Sequence, residues 1–111
     1  MNEPKDSLAH LSQRLAEFAA ERDWGRFHAP KNLASALVVE AAELLEPFQW
    51  MTEEQSRALN ADQREAVAQE MADVLLYLVQ LAHVTGIDLL DAAQRKMALN
   101  AQRFPVPPAQ P

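Results

Sequence analysis

Cysteine is absent from the 111 residues, which excludes disulfide scaffolds, thiol catalysis and Cys-ligated zinc and removes any need for an oxidising compartment. The cytoplasm is the expected setting. Glycine occurs only twice, at Gly25 and Gly86, so a glycine-rich phosphate loop is ruled out. Aromatic residues make up 6%, few enough that each ring needs a reason. The longest unbroken apolar run, Val74 to Val79, is far short of a membrane span, and Met1-Asn2-Glu3-Pro4-Lys5-Asp6 lacks the basic-then-apolar order of a secretory leader. No membrane partner is expected. Positive charge is scarce as well: 10 basic residues stand against 16 acidic ones, a net charge of −6. Such a chain repels polyanions, and a nucleic-acid polymer is not an expected partner unless metal ions screen the surface.

What is present fits a globular protein. Hydrophobic residues are 49% and charged residues 23% of the chain, and a domain of this length buries roughly two-thirds of its unfolded surface. Leu8, Leu11, Leu15, Phe18 and Ala19 recur at three- and four-residue intervals, which predicts an amphipathic helix over about 7–23 capped by Asp6 or Ser7. A second helix is expected over about 32–46, ended or kinked by Pro47. Thr52 with Gln55 reads as a capping box for a short helical turn, and Asp62 with Glu65 as the start of a long helix to about Thr85 that Gly86 stops. Asp88 with Asp91 caps a last helix ending near Arg103, before Phe104-Pro105. No segment alternates as a strand does. The expected architecture is all-α, an antiparallel bundle of four main helices in one domain over 1–104, with a Pro-rich flexible tail at 105–111. Val74 to Val84 is apolar nearly all round, so further copies of the chain, as a homodimer or homotetramer, are expected to cover it.

Two acidic pairs interrupt these apolar helices. Glu40 with Glu43 and Glu70 with Asp73 are each three residues apart, so each pair points one way from its helix. Sixteen acids in so short a chain produce such spacings by chance, and Asp62/Glu65 and Asp88/Asp91 are explained by capping. The settings Leu-Val-Val-Glu-Ala-Ala-Glu-Leu-Leu and Glu-Met-Ala-Asp-Val-Leu-Leu-Tyr-Leu differ, because an unpaired charge beside apolar helix is costly. Antiparallel packing would converge all four carboxylates, and divalent cations would relieve their repulsion. Neither pair contains His, so a di-iron site is disfavoured, and all-oxygen donors favour Mg²⁺, with Mn²⁺ as the alternative. A solvated seam or an interchain salt-bridge network is the competing explanation.

Lys96, Asn100 and Arg103 share one face of the last helix, able to meet phosphate oxygens or simply to complement the helix dipole. Lys31 can cap the second helix or touch phosphate. Trp24 and Trp50 both fall in connections beside the acidic helix, where flat rings suit base stacking; Phe27 is assigned to the core. Tyr77 follows Asp73 by one turn, within hydroxyl reach of a carboxylate.

Glu-x-x-Glu, 26 intervening residues and Glu-x-x-Asp together resemble the signature of the MazG-like all-α nucleoside triphosphate pyrophosphohydrolases. Phe18-Ala19-Ala20-Glu21-Arg22-Asp23-Trp24, Pro30-Lys31-Asn32-Leu33, Phe48-Gln49-Trp50 and Lys96-Met97 with Asn100, Arg103 and Pro105 are similar to the dCTP pyrophosphatase-like subgroup. The resemblance implies Mg²⁺-dependent cleavage between the α- and β-phosphates of a nucleotide, with dCTP or a related pyrimidine nucleotide as substrate. It also implies a role in clearing unwanted nucleotides. It assigns Glu40, Glu43, Glu70 and Asp73 to metal binding and catalysis, Trp24, Trp50 and Tyr77 to the base and sugar, and Lys96 and Asn100 to the phosphates. Lys31 and Arg103 join the expected substrate-binding set. Leu15 departs from the His that some dCTP-hydrolysing relatives carry, and Pro47 from an aliphatic residue. The alternatives are a non-catalytic helical oligomerisation or regulatory module and a helical metal-storage or di-iron protein.

Overall fold

The structure, a computed structural model, describes residues 7–108, and among them every regular element is helical. Asp6, residues 109–111 of the expected tail and the first six residues of the expected domain lie outside the described residues. Helix α1 spans Leu8–Glu21, α2 Pro30–Leu45, α3 Glu53–Ser56, α4 Ala61–Thr85 and α5 Leu89–Arg103, with 3₁₀ turns at Gly25–Phe27 and Glu46–Phe48. The all-α expectation holds, with four main helices and one short one.

Local chemistry sets most of the boundaries. The Ser7 hydroxyl accepts the His10 N–H at 3.0 Å and opens α1. Pro30 occupies the first turn of α2, where a missing N–H costs nothing, and Pro47 stands in the 3₁₀ turn that replaces its last turn. Thr52 and Gln55 form the expected capping box. The start of α4 differs from expectation. Asn60 and Gln63, not Asp62 and Glu65, make the reciprocal cap: Asn60 Oδ1 accepts the Gln63 N–H at 2.8 Å, and Gln63 Oε1 accepts the Asn60 N–H at 2.9 Å. An amide pair can satisfy the cap and third-residue N–H groups as well as a pair of acids can, and here it comes first along the chain.

Two helix ends share one geometry. Gly86, at φ 69°, ends α4, and the Ile87 N–H donates back to the Ala82 carbonyl at 2.9 Å. Asp23, at φ 53°, does the same for α1: its own N–H reaches the Ala20 carbonyl at 3.2 Å and the Trp24 N–H the Ala19 carbonyl at 2.9 Å. Left-handed backbone is the usual territory of glycine, tolerated by aspartate because its short polar side chain can bond locally. The turn carries Trp24 back against α1.

Helices α1 and α2 both pack on α4. Among the described residues the buried apolar side chains are Ala19, Leu33, Val79 and Ala82, of which Leu33, 1% exposed, is fully enclosed. Helix α5 leaves this group at 101° to α4. The radius of gyration is 17.8 Å, against about 13 Å for a compact chain of about 100 residues. Val38, Val39, Met71 and Leu75 on the packed helices and Leu90, Met97 and Leu99 on α5 remain exposed. Among the described residues no single helix is long and apolar enough to cross a membrane.

Candidate active site

The packing of α2 along α4 brings the two acidic pairs together. One carboxylate oxygen from each of Glu40, Glu43 and Glu70 lies within 4.8 Å of the other two. All three residues are half-buried. One oxygen of Glu40 and one of Glu70 are enclosed, and no hydrogen-bond donor among the described residues reaches either. Burial raises the Glu40 carboxyl above its ordinary value, helped by the contact with Glu43 and by the charges of Glu43, Asp73 and Glu70. Burial likewise raises Glu70, followed by the charges of Glu43, Asp73 and Glu46.

Asp73 stands outside the tight trio yet acts on both raised carboxyls, so it belongs to the same electrostatic unit. Glu46, absent from the expected set, is a fifth acid in that field. Its sequence signal was the continuation of the spacing Glu40, Glu43, Glu46. Orphaned carboxylate oxygens, like charges held together and an all-oxygen donor set fit a hard divalent cation.

A cavity of about 420 Å³ opens between α1 and α4 with Asp73 on its border, a size suited to a small ligand. Leu11, Leu15 and Leu76 form its apolar lining, and Phe18, Trp24 and Tyr77 supply rings. The turn at Asp23 sets the Trp24 ring edge-to-face with Phe18 at 5.4 Å between centroids. Arg22 holds the pair from outside. Its guanidinium lies 3.4 Å from the Phe18 ring centroid and 5.9 Å from that of Trp24, and donates to the Phe18 carbonyl at 3.0 Å. Two expected residues, Trp24 and Tyr77, therefore share a pocket that adjoins the acids.

Others stay apart within one chain. Trp50 is 88% exposed after the Glu46–Phe48 turn. Lys31 is exposed on the first turn of α2, nine residues before Glu40, or about 13 Å of helix. Lys96, Asn100 and Arg103 lie exposed on α5, where the Arg103 guanidinium covers the Phe104 ring at 5.1 Å. Phe27, expected in the core, is 57% exposed beneath the Arg26 guanidinium at 4.7 Å; the 3₁₀ turn directs it outward, where a cation covers it instead of core side chains.

The sequence profile of the MazG-like family matches residues 36–110, a stretch that takes in both acidic pairs. The chain belongs to the MazG-like family. Similarity extends to α1, outside that stretch. The chain is 48% identical over 105 residues to dCTP pyrophosphatase 1 of Mus musculus, covering 93% of this chain and 62% of the mouse protein. It is 44% identical over 104 residues to dCTP pyrophosphatase 1 of Homo sapiens, covering 92% of this chain and 61% of the human protein. It thus spans about six-tenths of the length of these curated relatives. Among solved structures, a pyrophosphatase from Archaeoglobus fulgidus superposes with a TM-score of 0.85 at 36% identity, covering 96% of this chain and 99% of its own. The helical arrangement described above is thus that of a MazG-like chain.

Proposed function

We propose that the protein is a nucleoside triphosphate pyrophosphohydrolase that cleaves a deoxynucleoside triphosphate, dCTP or a related pyrimidine nucleotide, to monophosphate and pyrophosphate. The observation that carries this reading is the continuity of site and pocket: Glu40, Glu43 and Glu70 cluster beside Asp73, and Asp73 borders the cavity walled by Trp24 and Tyr77. The relatives named dCTP pyrophosphatase 1 and the pyrophosphatase of similar fold support it.

The four acids would hold Mg²⁺, with Mn²⁺ as the alternative. When bound, the cation would neutralise triphosphate charge, polarise the α-phosphorus and lower the pKa of a bound water. Trp24 and Phe18 stack against the base, and Tyr77 lies toward the sugar. Water adds its oxygen to the α-phosphorus and gives up a proton to the solvent, the bond from that phosphorus to the α,β-bridging oxygen breaks, and pyrophosphate leaves. Clustering of the carboxylates supplies a strongly anionic locus beside the pocket, and their raised affinity for positive charge fits them to bind a cation rather than to remain bare.

The phosphate side is incomplete within one copy, because α5 carries Lys96, Asn100 and Arg103 away from the acids. Exposed apolar residues on α2, α4 and α5 and the extended shape support a homodimer or homotetramer in which neighbouring chains bring these side chains, and Trp50, to the site. A role in clearing unwanted nucleotides follows from this activity, with the cytoplasm as its proposed setting.

The test is pyrophosphate release by purified protein from a panel of deoxy- and ribonucleoside triphosphates with Mg²⁺. Pyrimidine deoxynucleotides are expected to lead. Glu40→Gln and Asp73→Asn should each lower the rate by ~100-fold or more while helical content stays unchanged by circular dichroism. Near-normal rates in both variants at limiting Mg²⁺ would remove the acids from the chemistry.

A further inference from the structure

Two polar side chains on the pocket between α1 and α4 have no part in the chemistry above. Gln80 stands in the stretch Val74 to Val84, in which every other residue except His83 is apolar. It is half-buried and lines the cavity. Among the described residues its amide has no hydrogen-bond partner, and the Arg14 guanidinium, which lines the same cavity from α1, has neither a hydrogen bond nor an ion pair. Gln80 is half-buried and Arg14 exposed at the cavity mouth, and the protein engages neither polar group, so a ligand in the cavity can take both as hydrogen-bond partners.

Their placement matches the length of a nucleotide. Asp73, Leu76, Tyr77 and Gln80 line the cavity at intervals of three, four and seven residues, on one face of α4. Gln80 therefore sits about 10 Å along the axis from Asp73. A nucleotide with phosphates at Asp73 and sugar at Tyr77 extends its base toward Gln80. Leu11, Arg14, Leu15 and Phe18 repeat the same spacing on α1. The rings stack on any base and the leucines cannot hydrogen-bond, so discrimination falls to polar edge contacts. His28, also on this lining, has its ring tilted against Trp24 at 6.4 Å.

We infer that Arg14 and Gln80 read the edge of the base and together select a pyrimidine over a purine, an assignment that rests on the nucleotide reading above. The guanidinium offers donors only, and the amide one donor group and one acceptor. Cytosine complements that row with O2 toward Arg14, N3 accepting from the Gln80 amide and the 4-amino group donating to its carbonyl. Uracil keeps O2, and rotation of the Gln80 amide satisfies its N3–H and O4. Adenine presents a C–H where Arg14 needs an acceptor. Guanine presents an amino group there, donor against donor.

Calorimetric titration of the full chain with dCMP, dUMP and dAMP in MgCl₂ tests the assignment without requiring turnover. The wild type should bind both pyrimidine nucleotides more tightly than dAMP. Arg14→Leu should remove about tenfold of that preference, with Arg14→Lys recovering part of it. Gln80→Leu should weaken dCMP and dUMP alike, and Gln80→Met, a second unbranched apolar replacement on the helix, should do the same. A dCMP-to-dAMP affinity ratio unchanged in Arg14→Leu and Gln80→Leu overturns the inference, as does a wild type that binds no dCMP. Selective dCMP binding that depends on these two residues, in a protein that hydrolyses no triphosphate, would uphold it and reject the enzymatic reading instead.

Discussion

Helices α4 and α5 are consecutive, both are capped by a side chain at the first turn, and both carry apolar residues at helical spacing, yet their fates within the chain differ. Helix α4 is gripped by α1 and α2 and buries Val79 and Ala82, whereas α5 turns away at 101° and has no fully buried residue. A 15-residue helix with one capping side chain and an Arg95–Asp91 pair at 2.9 Å is marginal in water by itself. The contrast separates two requirements that are easily merged. Capping and periodicity decide that a helix forms, but a packing partner decides that it stays. For α5 that partner, on the proposed assembly, is another copy.

The comparison can be broken most forcefully in the core. Leu33→Ala should cost about 2–5 kcal/mol in denaturant unfolding, at any protein concentration, because Leu33 is enclosed within the chain. Met97→Ala on α5 should act mainly through association, so its effect should grow as the protein is diluted. Identical, concentration-independent losses for both would erase the distinction. A finer cut compares caps. Asn60→Ala should cost about 1 kcal/mol of global stability, while Asp88→Ala should increase amide exchange in α5 with little change in the main transition.

The smallest expected effect is electrostatic. Glu40 and Glu70 have carboxyl pKa values raised above 4.5 by burial and neighbouring acids, so the folded chain holds these protons more tightly than the unfolded one. The resulting stabilisation is complete below 4.5 and is lost as pH rises through the raised values. Metal-free protein should therefore gain less Tm than Glu70→Gln when the pH is taken from mildly acidic to neutral, and added Mg²⁺ should close the gap. Parallel Tm profiles for the two proteins would contradict the raised Glu70 value.

Legibility in the sequence follows the range of the forces. Ser7, Thr52, Gly86 and Asp88 act within one turn, and their roles were readable. Helix α4 is capped two residues before the acidic pair Asp62–Glu65 because the amide pair Asn60–Gln63 caps as well as an acidic one. The acid pairs were readable because charges stand out in apolar helix, but the closeness of Glu40, Glu43 and Glu70, with Asp73 set toward the pocket, depends on how α2 meets α4. The left-handed turn at Asp23 carries no glycine to announce it, so the pairing of Trp24 with Phe18 was hidden. Gln80 and Arg14 lie 66 residues apart, and only the α1–α4 contact sets them on one cavity. The cationic face of α5 was visible, but its direction was not.

That direction has a genetic consequence. On the proposed assembly each working site draws its acids from one polypeptide and its phosphate-binding cations from another, so a chain defective in Glu40 and a chain defective in Lys96 are not equivalent losses. Co-expressed, they pair into particles in which one kind of site carries both lesions and the other carries neither. Two individually inactive alleles would then complement each other, whereas the same two substitutions placed on a single polypeptide would not.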